Sequence, residues 1–201
     1  DLIAGPSEIA ILADGSANPE WLAADLLSQA EHDPLASAVL ISTDKGLLEK
    51  TKTALQKQLD QLSRKDIAAS ALGKWGGLIH VPDLRTAIEV INTLAPEHLE
   101  LCLTDPWSLL SHIRHAGAIF LGHHTPEPLG DYFAGPNHVL PTMGSARFAS
   151  ALCVQNFMKK SSLIAATPEY MEKHRAKVAR LARLEGLEAH ARSAEIRQTE
   201  K

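Results

Sequence analysis

The sequence predicts an α/β fold: a mostly parallel sheet with flanking helices, extended by a C-terminal helical arm. Three observations predict it. Short apolar runs bounded by turn residues alternate with amphipathic helical repeats, the pattern of βαβ units. Several helical stretches open on a capping side chain: Asn18 before Pro19, Asp44, and Asp83. From Pro168 onward the chain is almost entirely helix-forming, with Gly186 as a break.

Taken in order, Glu8 to Ala13 is an apolar run ending at Asp14-Gly15, read as a buried strand and turn. Leu22, Ala23, Leu26, Leu27 and Ala30 then recur at helical spacing, up to a stop at Pro34. Ala38–Ser42 is the next strand, and Asp44 opens a helix reaching about Leu62. Arg64 to Leu72 reads as a short helix ended by Gly73. Leu78–Val81 is a strand, and Leu84, Ala87, Ile88, Ile91 and Leu94 pattern the helix after it. Leu99–Leu103 is a strand, Pro106–His115 a helix, and Ala118–Leu121 a further strand. Crossovers between such strands are expected to be right-handed. Residues 123–138, rich in Gly, Pro and polar side chains, read as one long irregular loop, a kind that tends to carry function. The expected division is an α/β domain over 1–145 and a mainly helical segment and dimerisation arm over 146–201. Over 171–201, eight basic side chains outnumber five acidic ones. That tail is too polar for a core of its own and is expected to dock on its domain or on a partner subunit.

Composition bounds the function. Of 201 residues, 45% are hydrophobic and 22% charged, with a formal net charge of −4. That balance gives no general attraction to nucleic acid or to an anionic membrane. No apolar run reaches membrane-spanning length, and no signal-peptide layout is visible. Cys102 and Cys153 both lie in apolar runs and read as reduced core residues of a cytoplasmic protein. The sequence begins without Met, at Asp1, and passes directly into a buried-looking segment, so it reads as a piece of a longer protein.

Glu97-His98, directly after Pro96, is the pair that most suggests chemistry. Adjacent residues do not share a helix face, so a carboxylate and an imidazole at this spacing cooperate only in extended or turned backbone. Pro96 favours that by turning Ala95 away from the helical region. An exposed acidic turn is the plainer alternative. Gln29 and His32 are three apart at the end of a helix, a spacing at which two side chains converge on a metal, or simply a polar helix end. Asp131 in the Gly/Pro-rich loop is a ligand or a turn aspartate. His123, His124 and His138 are ligand candidates by composition alone. Glu185 and His190 flank Gly186 and Leu187, as a site or as exposed charges at a helix break. The chain contains no Gly-x-Gly-x-x-Gly or Walker loop, no Cys-x-x-Cys pair, no Gly-x-Ser-x-Gly elbow and no basic-aromatic stripe. Two readings follow from the residues alone: a metal-dependent hydrolase using the Gln/His/Asp set with Glu97 activating water, or a non-catalytic α/β binding module.

Five blocks, in order, resemble the histidinol dehydrogenase family. They are Ala4-Gly5-Pro6-Ser7-Glu8, Asp25–His32, Pro96-Glu97-His98-Leu99, Gly130–Thr142 and Glu185–His190. The resemblance implies the C-terminal part of such an enzyme, with an incomplete Rossmann-like domain. It implies one zinc per site on Gln29, His32, Asp131 and His190, and an acid/base pair in Glu97 and His98. It implies substrate contacts from Ser7 and Glu185 beside Gln29, His32, His98, Asp131 and His190. It also implies a homodimer whose exchanged C-terminal arm supplies His190 to the other protomer. The implied reaction is the NAD-linked four-electron oxidation of L-histidinol to L-histidine through the aldehyde. The family's main NAD contacts lie in the N-terminal portion absent here, so no NAD-binding residue is assigned and the chain alone is expected not to turn over.

Overall fold

The computed structural model describes residues 3–197. Five strands form one all-parallel sheet in the order β3-β2-β1-β4-β5: β1 Glu8–Ala13, β2 Ser37–Ser42, β3 Gly76–His80, β4 His98–Cys102 and β5 Ala118–Leu121. The order reverses direction between β1 and β4, as in doubly wound sheets. Both faces are covered, which explains why the strands read as continuous apolar runs. Along β1 the side chains alternate. Ile9, Ile11 and Ala13 enter a core with α1 (Pro19–Ala30), α2 (Lys45–Leu59) and α3 (Lys65–Trp75), while Ala10 and Leu12 face α4 (Leu84–Leu94).

The caps behave as their chemistry requires. Asn18 Oδ1 accepts from Glu20 N–H at 2.9 Å, Asp44 Oδ1 from Gly46 N–H at 2.7 Å, and Asp83 Oδ1 from Thr86 N–H at 2.8 Å. Helix α4 ends at Ala95, which adopts φ 51° and ψ 58°. Pro96 does exclude the right-handed helical region there, but the result is a left-handed stop rather than an extended residue.

Several local expectations are corrected. Helix α1 stops at Ala30, and His32 N–H tightens onto Gln29 O at 3.2 Å, so His32 sits in the turn and not on the helix. Asp33, held off the helical region by Pro34, makes that stop natural. Helix α2 ends at Leu59, short of Leu62. Helix α3 passes through Gly73 to Trp75 and is stopped at Gly76, where a Cβ would lie 2.5 Å from Leu72 O. The segment expected as a helix over 106–115 is a 3-10 turn at Trp107–His112. The loop over 123–138 contains a short helix, α5, at Glu127–Tyr132. Cys102 is buried, but Cys153 is exposed, directly before a 3-10 turn at Val154–Phe157 that buries none of its own residues.

The chain divides into two compact units at Phe157/Met158, later than the 145/146 boundary expected from sequence. Residues after 145 fold back on the first unit: Leu152 N–H bonds to Val139 O at 2.9 Å, and the Arg147 guanidinium donates to the Thr93 and Gly144 carbonyls. The second unit packs α6 (Pro168–Leu184) on α7 (Glu188–Glu195) through Ala179, Ala191 and Ala194. Arg183 there pairs with Glu188 at 2.9 Å and Glu195 at 2.7 Å. The end of the expected arm, 198–201, lies outside the described residues. Among the described residues no helix is long and apolar enough to cross a membrane.

Candidate active site

The site gathers at the amino ends of β1 and β4, which are neighbours in the sheet with Ile9 opposite His98. Glu97 immediately precedes β4, and His98 begins it. Both are buried, at 7% and 4% exposure. Glu97 Oε2 accepts the backbone N–H of Glu8 at 2.9 Å, and His98 Nδ1 lies 3.0 Å from the Glu8 carbonyl oxygen. One backbone residue of β1 thus holds both side chains of the pair.

That geometry fixes the imidazole. A carbonyl oxygen only accepts, so Nδ1 carries the proton and Nε2 presents its lone pair. Nε2 is buried without a hydrogen-bond partner and faces two carboxylates, Glu127 Oε1 at 3.7 Å and Asp131 Oδ1 at 3.9 Å. Burial, and next the Glu8 hydrogen bond opposing it, leave the imidazole more easily deprotonated than a free one. Burial pushes Glu97 up to about 7, helped by the charges of Glu8 and Asp131 and opposed by the Glu8 N–H.

Helix α5 supplies the residue that the sequence reading missed. Glu127 and Asp131 are four apart and therefore share a face. Pro126, Glu127 and Pro128 were readable as a helix start, but the density of Gly and Pro favoured a loop. Glu127 is 2% exposed, and its N–H donates to Glu100 Oε1 at 2.8 Å. Glu100 in turn meets Asp25 of α1, one helical turn before Gln29. Burial first, then the neighbouring carboxylates, push Glu100 well above the usual carboxylate range. Glu127 is raised likewise, by burial and then by its hydrogen bond with Asp131.

The other expected residues are placed as follows. Gln29 is 1% exposed and its Oε1 has no hydrogen-bond partner. His32 is exposed in the turn beyond α1, near enough to His98 for its charge to act on that imidazole. Ser7 is half-buried, just before Glu8. Glu185 and His190 are exposed residues of the second unit. The composition-only candidates do not join the cluster. His123 Nε2 lies 3.1 Å from Ser16 Oγ beyond the carboxyl end of β1, His124 packs on Trp21 with ring centroids 5.1 Å apart, and His138 is exposed.

The histidinol dehydrogenase family model matches residues 1–198. The chain is 59% identical over 189 residues to histidinol dehydrogenase of Nitratidesulfovibrio vulgaris, covering 94% of this chain and 43% of that protein. It is 54% identical over 198 residues to the Bacillus subtilis enzyme, covering 98% and 46%. The crystal structure of histidinol dehydrogenase from Elizabethkingia anophelis superposes with TM-score 0.92 at 38% identity, over 98% of this chain and 45% of that one. The chain thus spans less than half the length of these relatives. On the family model and these identities, the chain belongs to the histidinol dehydrogenase family.

Proposed function

We propose that this chain provides the metal-binding and acid/base part of a zinc-dependent, NAD-linked enzyme that oxidises L-histidinol to L-histidine through the aldehyde. The observation that carries the reading is the buried, unpartnered Nε2 of His98 with its tautomer set by Glu8.

The residues present fit a metal. Gln29 Oε1 is a buried acceptor without a donor, and a buried carboxylate group surrounds His98. Gln29, His32 and Asp131 would hold one zinc, with His190 delivered by the exchanged arm of a second protomer. The separate packing of α6 and α7 supports such an arm. Zinc held there would orient the substrate's imidazole and amine and so place the reacting carbon. The oxidant would be two NAD molecules used in turn, one for the hydride of each stage.

The chain's own residues move the protons. His98 takes the hydroxyl proton at Nε2 as the first hydride leaves, and the facing Asp131 carboxylate stabilises the imidazolium. Glu97, with its pKa near neutrality, takes a proton from the water that adds to the aldehyde. Ser7 and Glu185 contact substrate. Burial of Glu97 and His98 keeps bulk water from the reacting centre. A cytoplasmic setting fits the buried free thiol of Cys102.

The test is stoichiometric. The full-length assembly containing this chain should reduce two NAD per histidinol without releasing aldehyde, whereas the 201-residue chain alone should reduce none. His32→Ala should lose zinc. Zinc-free enzyme turning over at the wild-type rate would overturn the reading.

A further inference from the structure

We propose that His98, Glu127 and Asp131 form a second seat for a divalent cation, distinct from the expected zinc position and inhibitory because it occupies the base nitrogen. The inhibitory sense rests on the reading of His98 as the base. The seat itself rests on geometry.

One ligand atom from each of the three residues lies within 4.8 Å of the other two. Nε2 is 3.7 Å from Glu127 Oε1 and 3.9 Å from Asp131 Oδ1. Both separations exceed a hydrogen bond. They are close to the roughly 3.3–3.6 Å edges of a tetrahedron whose ligands sit about 2.0–2.2 Å from the ion. The imidazole points its free nitrogen into this seat: His98 is 4% exposed, Nδ1 is engaged by Glu8, and Nε2 has no partner.

His32 does not join the three within that distance. The seat therefore differs from the expected set in His98 and Glu127 and shares Asp131 with it. The surroundings favour positive charge. Glu8, Glu97, Glu100 and Asp25 crowd the same region, and among the described residues no Lys or Arg forms an ion pair with any of them. Buried carboxylates without a cation are costly, and a divalent ion offsets that cost. One imidazole with two carboxylates suits zinc, manganese or cobalt. An ion here takes the Nε2 lone pair, and His98 then accepts no proton from an alcohol.

Zinc titration of the metal-free chain by calorimetry, with bound metal counted after gel filtration, tests this. The wild type should show two classes of site. Glu127→Gln should weaken the second class about tenfold or more and keep the first. Glu127→Asp, which retains the carboxylate, controls for misfolding and should weaken the second class less. The joint variant Gln29→Ala/His32→Ala separates the two ideas: it removes the first class if the zinc assignment above is right and leaves the second. In the assembled enzyme, excess zinc should inhibit the wild type and inhibit Glu127→Gln less. A second class untouched by Glu127→Gln, as surface histidines or Cys153 would give, overturns the proposal. So does a single class in the wild type that Glu127→Gln leaves unchanged.

Discussion

His98 Nδ1 stands 3.0 Å from the main-chain carbonyl of Glu8, ninety residues earlier in the chain. Because the partner is backbone, the tautomer is set by the alignment of β1 with β4 and not by a replaceable side chain. Nitrogen-15 spectra of the ring should show Nδ1 protonated and Nε2 bare at neutral pH. His98→Asn should lower turnover of the assembled enzyme by roughly 10²–10⁴ with little change in folding. A loss below tenfold would remove His98 from the role of base.

The second proton acceptor gives a pH signature. In the proposed mechanism Glu97 works as the carboxylate, and burial holds it protonated up to about 7. The aldehyde-to-acid stage should therefore accelerate as pH rises through that value, and Glu97→Gln should abolish the limb together with most of the rate. A cation bound at Asp131 adds positive charge nearby, so metal loading should shift the limb to lower pH. An acid limb identical in wild type and Glu97→Gln would exclude Glu97 as its source.

The strands, most helices and the caps were legible because each depends on residues close in sequence: Asn18 and Asp83 cap backbone two or three positions away. For Glu97-His98 the non-helical backbone was legible, since Pro96 turns the preceding residue from the right-handed helix, whereas the burial of the pair was not, an exposed acidic turn being the plainer reading of those residues alone. Glu127 was not, because a six-residue helix beginning Glu-Pro in a Gly/Pro-rich stretch has too little periodicity to show. The Glu8 carbonyl was invisible for a different reason. A backbone acceptor carries no residue signature, and only the register of β1 against β4 brings it to His98. Glu100 read as a strand residue, and its burial at 1% against Asp25 and Glu127 emerges only when α1, β4 and α5 meet.

Those buried carboxyls make stability depend on pH. Glu100 has its native pKa raised above the unfolded value, first by burial and then by the Asp25 charge. The native state binds the proton more tightly. This contribution to stability is therefore complete below the ordinary carboxylate range and is lost as pH rises through the native value. The thermal midpoint of the metal-free chain should fall from about pH 5 toward about pH 9. Glu100→Gln keeps an acceptor for Glu127 N–H and cannot ionise, so it should flatten that decline. A steeper decline in the variant would contradict the account.

Gly117 sets the backbone under Glu97 and His98, the proposed acid/base pair. Its N–H donates to Pro96 O at 2.9 Å, and the next residue, Ala118, donates to Glu97 O at 2.8 Å. A Cβ on Gly117 would stand 2.6 Å from Glu97 O and 3.2 Å from Pro141 Cδ. The first is a main-chain atom held in the β4–β5 ladder, so it cannot turn aside as a side chain would. Gly117→Ala should cost about 1–3 kcal/mol by overpacking, read from the denaturation midpoint of the chain. Because the displaced carbonyl belongs to Glu97, the same substitution should also move Glu97 and His98 relative to Glu8. Turnover should then fall further than in Leu55→Ala, a core truncation that costs about 2–5 kcal/mol on α2, a helix packed on α1, α3, β2 and β3. Equal turnover in the two variants would mean that the Gly117 contact acts on stability alone.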